Sequence, residues 1–326
     1  MTALLEVWDL KVHYPLPFGI GEIMTRSPRR VVQAVNGVSL GLERGETLGL
    51  VGESGCGKST LGRAMLRLTA AQSGRVLFDD ADVLALDRAG LFAFRKRAQM
   101  VFQDPHASLN PRLTVAKTLA EVLRVHRVCP PAAIEARVPQ LLEAVGLSAD
   151  LGARRPAALS GGQWQRVAIA RALAMGPELL ISDESVSALD VSIQAQILNL
   201  FMRLKREMHL TMMFISHDLS VVRHVCHRVA VMYLGRIVEL GPTEQIFRDP
   251  KHPYTQALLE AIQRMDPDAE APAAAAAGEP PSPVAVPAGC AFYPRCPHAM
   301  EVCRRPAAPA LRRSDQAEVA CHLYPV

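Results

Sequence analysis

Residues 52–59 read GESGCGKS, a glycine-spaced run that closes on a lysine and a serine. The pattern G-x-x-x-x-G-K-[ST], set between an apolar strand and a helix, suits a phosphate site. Its glycines let the backbone curl so that N–H groups face the β- and γ-phosphates, and the helix start adds roughly half a positive charge. Gly52, Glu53, Ser54, Gly55, Cys56 and Gly57 are the expected cradle for ATP. Lys58 would reach the phosphates as a point charge, Ser59 would offer its hydroxyl to Mg²⁺, and Thr60 would support the α-phosphate. The Cys56 thiol inside the loop reads as incidental rather than catalytic.

A second set of residues could supply the metal shell and the attacking water. The run LLISDE places Asp183 and Glu184 at the C-terminal end of a buried strand. In a parallel α/β sheet ligands bind outside those ends. Asp183 would hold the Mg²⁺ shell through water, and Glu184 would polarise the nucleophile. Gln103, in MVFQDP, could ligand Mg²⁺ and position water through its amide oxygen. His217, after FIS, could touch the γ-phosphate or orient the water. Alone it would read as structural; beside Lys58 and Glu184 it reads as functional. Phosphoryl transfer asks for little beyond positioning and charge stabilisation, so Lys58, Glu184 and His217 are the expected catalytic residues.

In LSGGQWQRVAIARAL, Ser160, Gly161, Gly162 and Gln163 open a helix, which makes a second phosphate-binding helix start. An ordinary helix cap would look the same in isolation. Two such sites in one chain suggest that each nucleotide is held between two chains.

The elements that must carry these residues follow from periodicity. LLEVWDLKVHYP alternates as an edge strand, and residues 31–52 read as short strands turning at Asn36-Gly37 and Arg44-Gly45. Leu61, Met65 and Leu68 share a helical face, and TVAKTLAEVLRVH and IEARVPQLLEAVGL read as separate helices. Ile193, Ile197, Leu200, Leu204 and Met208 mark another helix, and LTMMFISHD another buried strand. This alternation argues for an α/β fold with a mostly parallel sheet and a helical insert.

The 326 residues suggest one large domain with an appendage, and a net charge of +4 is too mild to argue for nucleic acid. The N-terminus lacks a secretory signal, and no apolar run of about 18 residues spans a bilayer, so the expected compartment is cytosolic. The Ala/Pro-rich stretch 266–288 reads as a linker. Beyond it, Cys290, Cys296, Cys303 and Cys321 are spaced C-x5-C-x6-C-x17-C, unlike the C-x2-C pair of common zinc knuckles. Disulfides are disfavoured in cytosol. A [4Fe–4S] cluster, zinc with His298 or His322 as substitute ligands, and metal-free packing all remain open. A short tail with AFY and little else to bury would need a metal to fold.

The phosphate loop, Gln103, LSGGQ, LLISDE, SALD (residues 187–190) and His217 occur in the order of ABC-type ATPases, which the chain resembles over about residues 4–245. That resemblance implies a P-loop ATPase domain with a helical subdomain, here residues 1–265 with the insert at about 104–175. It also implies a nucleotide-sandwich dimer lined by SALD, a groove near Gln103 for a partner's coupling helix, and an aromatic on adenine, for which Tyr14 is the candidate. Ser185 departs from the proline usual after the catalytic glutamate, with little effect expected.

SVSALDVSIQAQILNL, ELGPTEQIFRDPKHPYTQALLEAI and the terminal cysteines resemble the oligopeptide/dipeptide importer branch. This favours the [4Fe–4S] cluster on a Cys-rich C-terminal module at 289–326. It implies an ATP-hydrolysing subunit on the cytoplasmic face of the cell membrane. Its partners would be a second, distinct ATPase subunit, two permease subunits and, indirectly, an extracytoplasmic binding protein, with no nucleic acid. Import of nickel, glutathione or another solute is the alternative, followed by a non-transport ABC ATPase acting on DNA or ribosomes.

Overall fold

Every element expected around the phosphate loop forms, but the strands run longer than their turn signals suggest. The structure is a computed structural model that describes residues 3–17, 30–104, 109–187, 189–263, 279 and 281–324. The chain divides into two compact units, one built from Glu43–Thr47 and Ala85–Ile215, the other from Ala3–Leu42, Leu48–Leu84 and Ser216–Val326.

The second unit begins with strand β1 (Ala3–Pro15), in which Leu5, Val7, Leu10 and Val12 are fully buried. It is not the edge strand its alternation suggests, because β2 (Val31–Glu43) and β4 (Ser73–Phe78) flank it in a sheet of order β2-β1-β4-β5, with β5 at Ala81–Asp82. β2 passes straight through Asn36-Gly37, where Gly37 takes φ 82° and absorbs the turn signal as a local distortion. The turn at Arg44-Gly45 does form, and the buried strand β3 (Thr47–Val51) follows it. Helix α1 (Lys58–Met65) stops before the third residue of its predicted face: Arg67 takes φ 51°, and Leu68 is left exposed.

The first unit holds helix α2 (Arg88–Arg97), strand β6 (Ala98–Val101), helices α3 (Val115–Val125), α4 (Ile134–Ala144) and α5 (Gly161–Leu173), strand β7 (Leu179–Asp183), helix α6 (Val191–Met208) and strand β8 (Thr211–Ile215). Thr114 caps α3 by accepting from the Lys117 N–H. β6, β7 and β8 are parallel neighbours, and every residue of β7 and β8 is buried, as their unbroken apolar runs predict. Phe201 of α6 meets Phe214 of β8 edge-on at 6.2 Å.

The rest of the second unit is helix α7 (Leu219–Val225), the hairpin β9 (Arg228–Tyr233) and β10 (Arg236–Pro242), helices α8 (Thr243–Arg248) and α9 (Pro253–Gln263), and the short hairpin β11 (Arg312–Ser314) and β12 (Ala317–Val319). β9 runs parallel to β3. β12 pairs with β10, Glu239 opposite Val319, so the chain from 289 onward is not a separate cysteine-rich module. It extends this unit's own sheet. Most of the expected linker lies outside the described residues; near its end, the Pro283 carbonyl accepts from the Gln33 N–H.

The seat of the tail contains a buried polar turn. Glu239 accepts the N–H groups of Lys251 and His252, and His252 Nδ1 accepts the Tyr254 N–H at 3.0 Å. Burial pushes the His252 imidazole from its ordinary 6.5 down to about 3. Between those values the unfolded chain binds a proton that the native protein refuses, so stability falls as pH falls through the window and is complete above it. Burial raises Glu239, which acts in the opposite sense as pH rises above the ordinary carboxylate range. Between pH 7.5 and 5, His252 should account for about 2 kcal/mol of lost stability. His252→Asn keeps the acceptor and should remove that part of the loss, measured as urea midpoints at the two pH values. An equal loss in both proteins would contradict the assignment.

Candidate functional site

The phosphate loop has the backbone its glycines promise. Gly52, Gly55 and Gly57 take φ 151°, 79° and 109°. A Cβ on Gly52 would lie 2.2 Å from the Met232 carbonyl oxygen, and one on Gly57 only 1.9 Å from that of Ala34. Only glycine fits at either position. Lys58 is buried and donates from Nζ to the carbonyls of Gly52 at 2.8 Å and Glu53 at 3.0 Å. Helix α1 starts at Lys58 with Gly57 as its N-cap, no capping side chain and no acid in its first turn. A helix start left this way by its own side chains suits an anion. Ser59 and Thr60 occupy its first turn, while Ser54 and Gly55 are exposed. Burial pushes the Cys56 thiol up, which keeps it protonated and unreactive.

In the first unit the parallel pairing does the positioning. Val101 of β6 stands beside Ser182 of β7, so both chains leave the sheet at the same edge. Gln103 therefore reaches Glu184 and donates from Nε2 to its Oε2 at 2.8 Å. Glu184 takes φ 44°, an unusual backbone for a non-glycine residue. Its carbonyl accepts the Ser187 hydroxyl at 2.9 Å, and its N–H donates to the Ile215 carbonyl at 3.0 Å. Asp183 is fully buried at the end of β7. Ser185 is also buried and shares a 2.5 Å hydrogen bond with the Ser182 hydroxyl.

At the second predicted helix start, Ser160 caps α5 through a capping box. Its hydroxyl accepts the Gln163 N–H at 3.4 Å, and Gln163 Oε1 accepts the Ser160 N–H at 3.0 Å. A Cβ on Gly162 would meet Ile193 of α6 at 2.8 Å, whereas one on Gly161 would make only ordinary contact with Leu189. Gly162 thus serves helix packing, and Ser160 and Gly161 remain exposed. His217 is exposed in the turn before α7, where the Ser216 hydroxyl accepts the Asp218 N–H at 3.0 Å. Tyr14 is exposed near the end of β1, and Ala188 of SALD lies outside the described residues.

Two family models match this chain: "ABC transporter" over residues 35–187 and "Oligopeptide/dipeptide transporter, C-terminal region" over residues 238–303. The probable peptide ABC transporter ATP-binding protein y4tS of Sinorhizobium fredii is 50% identical over 321 residues, covering 98% of this chain and 90% of that protein. The chain belongs to the ATP-binding proteins of the oligopeptide/dipeptide ABC transporter family. The oligopeptide transport ATP-binding protein OppF of Escherichia coli is 47% identical to this ABC protein over 322 residues, with 98% and 96% covered. The dimeric post-hydrolysis structure of the ATP-binding cassette MJ0796, bound to ADP and Pi, superposes with a TM-score of 0.63 at 26% identity, covering 73% of this chain and 98% of that one.

The expected cysteine centre of this ABC protein is corrected. Cys290, Cys296, Cys303 and Cys321 are free, and among the described residues no group of three or more His, Cys, Asp or Glu side chains could hold a metal ion. Burial pushes the Cys290 and Cys296 thiols up and that of Cys321 to about 11. The premise behind the cluster also fails. Phe292 is 1% exposed and packs against Tyr233 and Tyr254, with ring centroids 5.3 and 5.5 Å away. Burying one such ring is worth about 1.5–3 kcal/mol, so the tail has an anchor of its own.

The same tail carries contacts that reading for cysteines missed. Arg295 donates from both terminal nitrogens to the Glu53 carboxylate, at 3.0 and 3.1 Å, and the Tyr254 hydroxyl accepts the Glu53 N–H at 2.8 Å. The only signal in sequence was an acid in a phosphate loop, which calls for a cation that spacing cannot locate.

Gly55→Ala, whose Cβ meets no atom within 4 Å, should cost about 1 kcal/mol of stability. Gly57→Ala, forced against a carbonyl, should cost several times as much and abolish ATP binding. Thermal unfolding and nucleotide titration of the pair would test the cradle; equal behaviour would refute it.

Proposed function

We propose that this ABC protein is the ATP-hydrolysing subunit of an importer that takes up di- and oligopeptides through partner permease subunits. The observation that carries the reading is the phosphate loop with three left-handed glycines, on a chain whose relatives over nearly their full length are named for peptide transport. Those names and the matched C-terminal region favour peptides over nickel, glutathione or a non-transport role.

In this reading residues 52–60 hold the phosphates of ATP, with Lys58 turning its ammonium from loop carbonyls towards them. Ser59 carries a hydroxyl, Gln103 an amide and Asp183 a carboxylate oxygen, each a hard donor of the kind Mg²⁺ takes, and these residues would hold the ion. Bound there, Mg²⁺ would neutralise phosphate charge. Glu184 accepts the proton of the attacking water, and its bond to Gln103 aims the carboxylate. His217 orients that water, and Tyr14 stacks on adenine. Ser160, Gly161, Gly162 and Gln163 approach a nucleotide held by a second ATPase subunit, distinct from this one, so two nucleotides close two chains. Closure can do work only through the tighter binding of ATP to the closed state.

The groove expected near Gln103 has a counterpart in the helical insert between α3 and α4, about 590 Å³ and lined by Ala116, Ala120, Ile134 and Val138 with Lys117 and Glu135 but not by Gln103; this groove would receive a permease's coupling helix. Among the described residues no helix is long and apolar enough to cross a membrane, so the subunit would reach the cytoplasmic face through such partners.

Glu184→Gln should retain ATP affinity, lower kcat by at least about 100-fold and accumulate the closed dimer on size-exclusion chromatography. Undiminished hydrolysis would remove Glu184 from its role. For the cargo, the chain co-purified with its permease subunits and binding protein, placed in liposomes, should drive ATP-dependent uptake of a labelled tripeptide. Uptake of nickel or glutathione but no peptide would overturn the cargo assignment.

A further inference from the structure

Glu53 places a carboxylate second in the phosphate cradle. The loop's N–H groups serve an anion, and a carboxylate among them opposes the same anion. The structure holds this residue at three points. Its N–H donates to the Tyr254 hydroxyl at 2.8 Å, and its carbonyl accepts from Lys58 Nζ at 3.0 Å. Its carboxylate is gripped by Arg295 in a two-nitrogen fork at 3.0 and 3.1 Å. Arg295 comes from the C-terminal segment, 242 residues further along the chain.

This ion pair differs from the exposed ones on the surface. The Arg295 side chain is only 10% exposed and that of Glu53 30%. The guanidinium carbon lies 5.8 Å from the Phe292 ring centre and 5.9 Å from that of Tyr233, and one nitrogen also reaches the Tyr233 hydroxyl at 3.4 Å. Tyr233 and Tyr254 are themselves packed with centroids 4.5 Å apart. A forked, partly buried pair on an aromatic floor has direction as well as charge. Lysine could supply the charge but not the fork.

We propose that Arg295 is a positioning residue for ATP binding: it fixes Glu53 and cancels its charge, so that the cradle receives the triphosphate without a bare carboxylate at its mouth. Arg295 can do this only when its segment is seated by Phe292 and by the pairing of β12 with β10. The terminal segment is thereby a part of the nucleotide site rather than an appendage. This rests on reading residues 52–59 as the phosphate cradle, which Lys58→Ala tests separately: normal ATP affinity in that variant would sink the cradle itself.

The test uses the full-length chain, titrated with a fluorescent trinitrophenyl ATP analogue displaced by ATP, and the permease complex for steady-state kinetics. Arg295→Ala should weaken ATP binding and raise KM by about tenfold, with kcat at saturating ATP within about twofold. Arg295→Lys should fall between it and the wild type. In a Glu53→Gln background, Arg295→Ala should change affinity by less than about twofold, because the charge to be cancelled is gone. Three results would overturn the proposal: unchanged affinity in Arg295→Ala, a loss confined to kcat, or an equal loss of affinity with Gln at position 53. If Arg295→Ala does not fold, Arg295→Gln, which keeps a polar planar end without the charge, serves in its place. Wild-type affinity in that variant would equally end the argument.

Discussion

Left-handed backbone at Gly52, Gly55 and Gly57 is the constraint to which the second unit is built. A loop that points several N–H groups at one anion must reverse direction within a few residues, and side chains bar that path. The loop is also pressed from outside: the carbonyls of Ala34 in β2 and Met232 in β9 stand where a Cβ on Gly57 or Gly52 would go. Two strands distant in sequence therefore set the loop's shape, and β9 keeps its place by pairing with both β3 and β10.

The first unit solves a different problem by register. Parallel neighbours leave a sheet at one edge, so residues just past β6 and β7 meet without any loop arranged for the purpose. Gln103 and Glu184 touch for that reason. The strained backbone of Glu184 is held by the Ile215 carbonyl and the Ser187 hydroxyl on either side of its peptide unit. Strain held by its surroundings at this acid is consistent with a local arrangement organised before any ligand arrives.

The C-terminal segment shows how a premise read from composition alone can lead to the wrong chemistry. A tail with few apolar residues seemed to need a metal. It needed only one large aromatic and a partner surface. Phe292 finds Tyr233 and Tyr254, and Val319 finds Glu239 across the sheet. The cysteines are then small, partly or wholly buried side chains with raised thiols at three of the four positions, as their packing demands.

The sequence by itself determined whatever depends on local spacing. The glycines and lysine of the phosphate loop, the unbroken apolar runs of β7 and β8 and the 3.6-residue period of α6 were all legible, because each is decided within a few residues of backbone. What only the tertiary structure decided is what those residues touch. β1 became an interior strand because β2 and β4 flank it, and Asn36-Gly37 did not end the strand because β2 continues through it, with Gly37 at φ 82° as a local distortion. Gly162 proved to be a packing glycine because Ile193 lies against it. The partner of Glu53 had to come from the far end of the chain. Spacing carries no information about contacts between distant segments, since those follow from the burial of the whole core rather than from any local pattern.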